Sequence, residues 1–291
     1  MLLPRSQGGE SESVMIDYEK KRQQLDRDGF CLLEGVIDDG MIERLREVTD
    51  RVIARQEAAH FERQRAQGSL IRVTEDPFMA RLIAYRPILQ ALARLGFPDP
   101  KWGSGFIISK PPKSPPLFWH QDARFWDDPI SYTPRTIQCF LMIYLVDTTR
   151  HNGCLRLIPG SHLKRHRLHD ALPDAHEDDL SRAADTAHLA FQRAEGEVDV
   201  PVKAGDVVMG GARLLHAAHG NNSDQRRTNI TLWYYPDYAN LPESIRAYLA
   251  DSDWPADWQA HNGDLLEPLR PVYAGDAAPI RLNRKPGAEL R

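Results

Sequence analysis

A chain of 291 residues is long enough to bury one large core, and all-β barrels and sandwiches of this size often form a single domain. With 37 basic and 41 acidic residues, the formal charge of −4 leaves no electrostatic footprint for nucleic acid, and clusters such as Lys20-Lys21-Arg22 sit in mixed-charge surroundings. No run of about eighteen apolar residues could cross a membrane, and Met1-Leu2-Leu3-Pro4-Arg5 leads into polar sequence instead of a signal-peptide core, so the expectation is a soluble, cytoplasmic protein.

Residues 1 to about 14 are rich in Gly, Ser and Glu and are expected to be disordered. Residues 18–28 form a charged helix candidate ending at Gly29, and 30–36 read as a strand. Asp38 and Asp39 then cap a helix from 41 to about 59, where Ile42, Leu45, Val48 and Val52 follow helical spacing. A second helical region covers 77–95. From Phe106 onward, short strands and turns dominate. Phe106-Ile107-Ile108-Ser109-Lys110-Pro111-Pro112 is a strand closed by prolines, and Asn152 to His162 is a turn, a short strand and a turn. Gly205-Asp206-Val207-Val208-Met209 begins a strand that runs to His216, and Arg226 leads another to Tyr235. Residues 166–193, rich in His, Asp and Ala, lack strand periodicity and could form a lid. Residues 254–291 read as a surface wrap or partly disordered tail. Cys31, Cys139 and Cys154 are too scattered for a disulfide framework or paired zinc spacing, and the last two read as buried small side chains.

An antiparallel double-sheet jelly roll suits this pattern: two sheets bury alternating apolar faces, while strand ends present polar residues to the mouth between them. The expected architecture is mainly β with helical additions. One catalytic domain spans 15–250, helical to about 100 and jelly roll over about 101–236, with a C-terminal wrap at 251–291.

The chemistry is concentrated in Trp119-His120-Gln121-Asp122. On an extended segment His120 and Asp122 point to one face, because side chains repeat every second residue. A distant histidine would complete two histidines and one carboxylate on a face of an octahedron, leaving the opposite face open, as non-haem iron(II) oxygenases require. His-x-Asp alone is more often an ordinary polar pair. His216 and His219 both compete for the third position, and in an extended segment they face opposite sides. A hydrolytic zinc site and a non-catalytic small-ligand binder are the rival readings.

The ordered series Asp28-Gly29-Phe30, Lys110-Pro111-Pro112, His120-Gln121-Asp122, Asn152-Gly153-Cys154-Leu155, Pro159-Gly160-Ser161-His162, Gly205-Asp206 and a histidine followed by arginine resembles the phytanoyl-CoA dioxygenase family. That resemblance implies a double-stranded β-helix, or cupin-like, core. It also implies iron(II) as cofactor, 2-oxoglutarate and dioxygen as cosubstrates, and release of succinate and carbon dioxide as a small metabolite is oxidised. The family places its cosubstrate arginine about eleven positions beyond the distal histidine, which joins His216 to Arg227 and leaves His219 and Arg226 facing away. Lys110, Gln138 and Trp126 are secondary candidates near cosubstrate or iron, although Trp126 could equally be core. His162, His166, His169, His176 and His188 read as polar surface. Many relatives carry Ser two positions after the distal histidine; here it is Ala218, so another donor must serve. Related iron halogenases replace the carboxylate with a small residue, so Asp122 argues for hydroxylation, with desaturation, ring closure and epimerisation open. Substrate identity and oligomeric state are not legible.

Overall fold

The computed structural model describes residues 16–173, 178–251 and 254–291, the side chains of 256 and 257 excepted. The expected N-terminal disorder and His176 lie outside these residues. Ten strands are described: β1 (Phe30–Leu33), β2 (Ile71–Arg72), β3 (Lys101–Lys110), β4 (Leu117–His120), β5 (Cys139–Tyr144), β6 (Leu155–Leu157), β7 (Val198–Val200), β8 (Val207–Gly211), β9 (His216–Ala218) and β10 (Arg227–Tyr235). They form two antiparallel sheets, ordered β1-β8-β5-β10-β3-β2 and β4-β9-β6-β7. This is the expected jelly-roll core.

Alternation along the strands divides the larger sheet. Cys139, Leu141 and Ile143 of β5 and Ile230, Leu232 and Tyr234 of β10 join the core cluster formed with Ile42, Leu45, Val48 and Val52 of the Asp39–Ala54 helix. Each such aliphatic side chain contributes about 1.5–3 kcal/mol on burial, which clamps the helical layer to one face. Phe140, Met142 and Tyr144 take the other face and pack with Leu155, Leu157 and Val200 of the smaller sheet and with Leu214 of the segment that crosses between the sheets. Phe140 crosses directly over Gly210, where an added Cβ would lie 2.2 Å from the ring. Only glycine lets that ring reach the inter-sheet space.

Several expectations hold in detail. The first helix is Tyr18–Asp28 and ends on Gly29 at φ 83°, a left-handed cap that glycine adopts without steric cost. Asp38 caps the Asp39–Ala54 helix by accepting from the Met41 N–H. All three cysteines are buried and free.

Others need correction. The helix expected over 41–59 stops at Ala54, and a separate one covers Ala58–Arg63. The region 77–95 is broken into Met79–Ile83 and Arg86–Arg94, with Pro87 in the first turn of the second, where its missing N–H costs nothing. The continuous strand expected from Gly205 to His216 is two strands in different sheets. The chain must cross the sandwich between Gly211 and His216, and that corner is held by Arg213, whose buried guanidinium donates to the carbonyls of Ser131, Thr133 and Arg135. His162 and His169, read as surface, are buried at 5% and 8% exposure. The C-terminal wrap contains a helix, Ala256–Leu266, that brings Trp258 against Trp102. No helix among the described residues is long and apolar enough to cross a membrane.

Candidate active site

β4 and β9 are antiparallel neighbours in which His120 pairs with His216, so both imidazoles project from the same cross-strand position into the sandwich. Their ring centroids are 4.1 Å apart. Asp122 lies two residues past the end of β4, and its backbone N–H, with that of Ala123, donates to the Ala212 carbonyl at the chain corner. The same-face placement of His120 and Asp122 expected from an extended segment is therefore secured by this turn, not by a continuing strand.

His120, Asp122 and His216 are 6%, 8% and 2% exposed, and their candidate ligand atoms lie within 4.8 Å of one another. The Asp122 oxygens stand 3.9 Å from His120 Nε2 and 3.7 Å from His216 Nε2, too far to hydrogen-bond but with room for an ion between them. His120 Nδ1 is 3.0 Å from the Phe118 carbonyl and His216 Nδ1 is 3.0 Å from the Leu214 carbonyl. A carbonyl only accepts, so each Nδ1 carries a proton, and in the neutral imidazole each Nε2 is then the nitrogen that presents a lone pair. Such anchoring is what metal-binding histidines require. Trp233 Nε1 donates to Asp122 Oδ2 at 2.9 Å, fixing the carboxylate.

Trp233 belongs to a row that sequence reading missed. Arg227, Asn229, Thr231 and Trp233 occupy alternate positions of β10 and share its interior face. The Arg227 guanidinium donates to Asn229 Oδ1, and Asn229 Nδ2 donates to Thr231 Oγ1 at 3.0 Å. Counting in twos from Arg227 would have found all three neighbours. Arg227 is 3% exposed, its Cζ lies 5.7 Å from the Tyr144 ring centre, and its Nε is buried without a hydrogen-bond partner. Burial pulls the guanidinium below its ordinary pKa, and an incoming carboxylate would offset that cost. Gly153, at φ 91°, brings its loop within about 3.6 Å of Arg227 Nε, measured from an added Cβ.

Lys110 sits opposite Arg227 in the β3–β10 register and is fully buried. Its Nζ donates to the Ala66 and Pro115 carbonyls at 2.5 and 2.6 Å. Burial, then the Arg227 charge, drives its pKa well below the usual value. Lys110 therefore pins the loop carrying Gln67, which lines the cavity.

That cavity, about 210 Å³, is bounded by His120, Asp122, His216, Thr231 and Trp233 on its polar side and by Leu70, Phe106, Ile108, Leu117 and Met142 on its apolar side. Lys110, Arg227, Gln138 and Trp126 are not among the residues that bound it, and Arg227 lies further along the β10 face that brings Thr231 and Trp233 to it. Trp126 packs with Ala123, Ala212 and Leu290 and donates to Gln121 Oε1 at 3.2 Å, bracing the turn that carries Asp122 from behind. Gln138 contacts the same corner through its carbonyl, which accepts from Ala212 N–H. His219 faces away and pairs with Asp199 at 2.6 Å, and Arg226 reaches toward Ser109. The histidine-rich segment does reach the site: Leu168, His169 and Leu172 bound a small cavity shared with His120.

Residues 25–229 match the family model for phytanoyl-CoA dioxygenase. The chain belongs to the phytanoyl-CoA dioxygenase family. As a member it is a non-haem iron, 2-oxoglutarate-dependent dioxygenase. Among similar proteins are an ectoine dioxygenase of Sphingopyxis alaskensis, 26% identical with 83% of this chain and 85% of the relative covered, and a probable alpha-ketoglutarate-dependent hypophosphite dioxygenase of Stutzerimonas stutzeri, 25% identical with 79% and 86% covered. Among solved structures, the epimerase SnoN in complex with Fe3+, alpha ketoglutarate and nogalamycin RO shares the fold at a TM-score of 0.57, 22% identity and coverage of 92% of this chain and 97% of SnoN.

Proposed function

We propose that this dioxygenase hydroxylates an unactivated carbon of a small metabolite, with iron(II) held by His120, Asp122 and His216 and the distal carboxylate of 2-oxoglutarate held by Arg227. The observation that carries the reading is the convergence of two imidazole Nε2 atoms, each with its Nδ1 anchored on a backbone carbonyl, and one braced carboxylate at a partly apolar cavity. Two nitrogens and one oxygen on one side leave open positions on the other, a donor set suited to iron(II). Iron there, supplied with 2-oxoglutarate and dioxygen, provides the oxidising power to break a substrate C–H bond while 2-oxoglutarate becomes succinate and carbon dioxide.

The chain's own side chains do the positioning. The backbone carbonyls of Phe118 and Leu214 hold the imidazoles in one tautomer, and Trp233 fixes the carboxylate against rotation. Arg227, oriented by Asn229, offers a planar fork to a carboxylate in place of the Ser absent at Ala218. Leu70, Phe106, Ile108 and Met142 exclude water from the reacting carbon.

The test is product analysis under labelled dioxygen, in abundant chloride, across a metabolite panel scored first by succinate release. The expected product gains one labelled oxygen; a dehydrogenated or epimerised product would replace hydroxylation by a related oxidation. A chlorinated product would contradict the role given to Asp122, which leaves no position for halide.

A further inference from the structure

Arg124, two residues beyond Asp122, bounds the ligand cavity and also a second cavity of about 240 Å³ beside it. Ser104 and Phe106 bound both as well, so Arg124 lies where the two cavities adjoin. Among the described residues, four arginines have a buried Nε without a hydrogen-bond partner: Arg124, Arg156, Arg227 and Arg246. Arg156 pairs with Glu197 and Arg246 with Glu243 through other nitrogens. Arg124 and Arg227 have no such carboxylate among the described residues, and Arg227 already has an anion assigned to it.

The walls around Arg124 are rich in donors and poor in acids. Arg72 stands at the rim of the second cavity, and Trp102 and Trp254, which bound it, each carry a buried Nε1 without a hydrogen-bond partner. Thr74 and Ser104 add hydroxyls. No carboxylate bounds the second cavity among the described residues; the first has Asp122, already held by Trp233. Such a wall favours an anion over an amine, since a buried donor left unpaired costs free energy that an acceptor recovers.

We propose that the substrate carries an oxyanion, a carboxylate or a phosphate ester, which Arg124 holds where the two cavities adjoin while an apolar segment lies along Phe106, Ile108 and Met142 toward Asp122. This rests on the iron and 2-oxoglutarate reading above. A planar guanidinium fits both oxyanions by paired donation, and its anchorage close behind Asp122 would set how far along the substrate oxidation occurs.

Calorimetry on anaerobic protein loaded with iron(II) and saturating 2-oxoglutarate tests this, with hexanoate, hexyl phosphate and hexan-1-ol as probes. The saturating cosubstrate keeps the anions from Arg227. One of the two anions should bind at least about tenfold more tightly than the alcohol, the gain expected of a charge-assisted pair. Which of them wins separates carboxylate from phosphate. Arg124→Gln should abolish the preference, and Arg124→Lys should keep part of it. The absorption band of the iron–2-oxoglutarate complex, recorded before each titration, separates the failures. A normal band with no anion preference in the wild type, or with the preference intact in Arg124→Gln, overturns this proposal alone; absence of the band in the wild type overturns the iron reading as well. The wild-type comparison decides even where a variant does not fold.

Discussion

Trp233→Phe isolates the bond that braces the proposed iron carboxylate. Trp233 Nε1 lies 2.9 Å from Asp122 Oδ2, and Asp122 is only 8% exposed, so water cannot fully replace the lost donor. Phenylalanine keeps an apolar ring to face Phe106, now 5.9 Å away edge-on, and removes only the N–H and part of the volume. A neutral donor to a charged acceptor is worth about 1.5–3 kcal/mol. At about 1.4 kcal/mol per decade this predicts iron(II) binding weakened about ten- to a hundredfold, the range seen when a ligand's hydrogen-bond partner is removed. Anaerobic competition against a chromogenic chelator measures the affinity, and thermal unfolding of the metal-free protein checks that the fold survives. A variant that folds normally and binds iron(II) as tightly as the wild type would refute the claim that Trp233 holds a ligand.

Two further outcomes follow from the same geometry. Arg227→Ala should raise the 2-oxoglutarate requirement by an amount matching about 2–5 kcal/mol, the usual cost of removing one partner of a buried charge pair, while iron(II) binding without 2-oxoglutarate stays unchanged; a cosubstrate titration showing wild-type dependence would remove Arg227 from the site. Burial depresses His162 to a pKa of about 4, from an ordinary 6.5. Between those values the unfolded chain binds the proton and the folded chain does not, so this contribution is complete above about pH 6.5 and is lost as pH falls toward about 4. Denaturant unfolding of the metal-free protein should show a shallower decline over that window in His162→Gln than in the wild type; equal slopes would sink this assignment.

How far the sequence could be read depended on the range of the interactions involved. The Tyr18–Asp28 helix was legible because its stop signal, Gly29, is adjacent. His120, Asp122 and His216 were picked out by motif order and spacing, and the structure brings these three together; Arg227 was chosen by its spacing from His216, and its place on the β10 face shared with Trp233 is consistent with the role proposed for it. The break between β8 and β9 was not, because Leu214 and Leu215 continue an apolar run, and the corner is held by contacts remote in sequence, among them those of Arg213 with carbonyls about eighty residues away in the chain. Trp126 drew attention by its closeness to Asp122 in sequence, yet it is Trp233, 111 residues away, that reaches the carboxylate. Proximity in sequence misled there, whereas the two-residue period of β10 would have pointed to Trp233. The Ala256–Leu266 helix was hidden by Gly263 and flanking prolines, and it is held by tertiary packing of Trp254 and Trp258 on Trp102.

The most direct test of the account is an anaerobic iron(II) titration, with 2-oxoglutarate present, of the wild type, His216→Ala and His219→Ala, followed by absorption. His216 shares the β4–β9 register with His120, whereas His219 is tied to Asp199 outside the cavity. The account predicts a metal-to-ligand band saturating at one iron per chain in the wild type and in His219→Ala, and its loss in His216→Ala. A band retained in His216→Ala but lost in His219→Ala, or no band in any of the three, would contradict it.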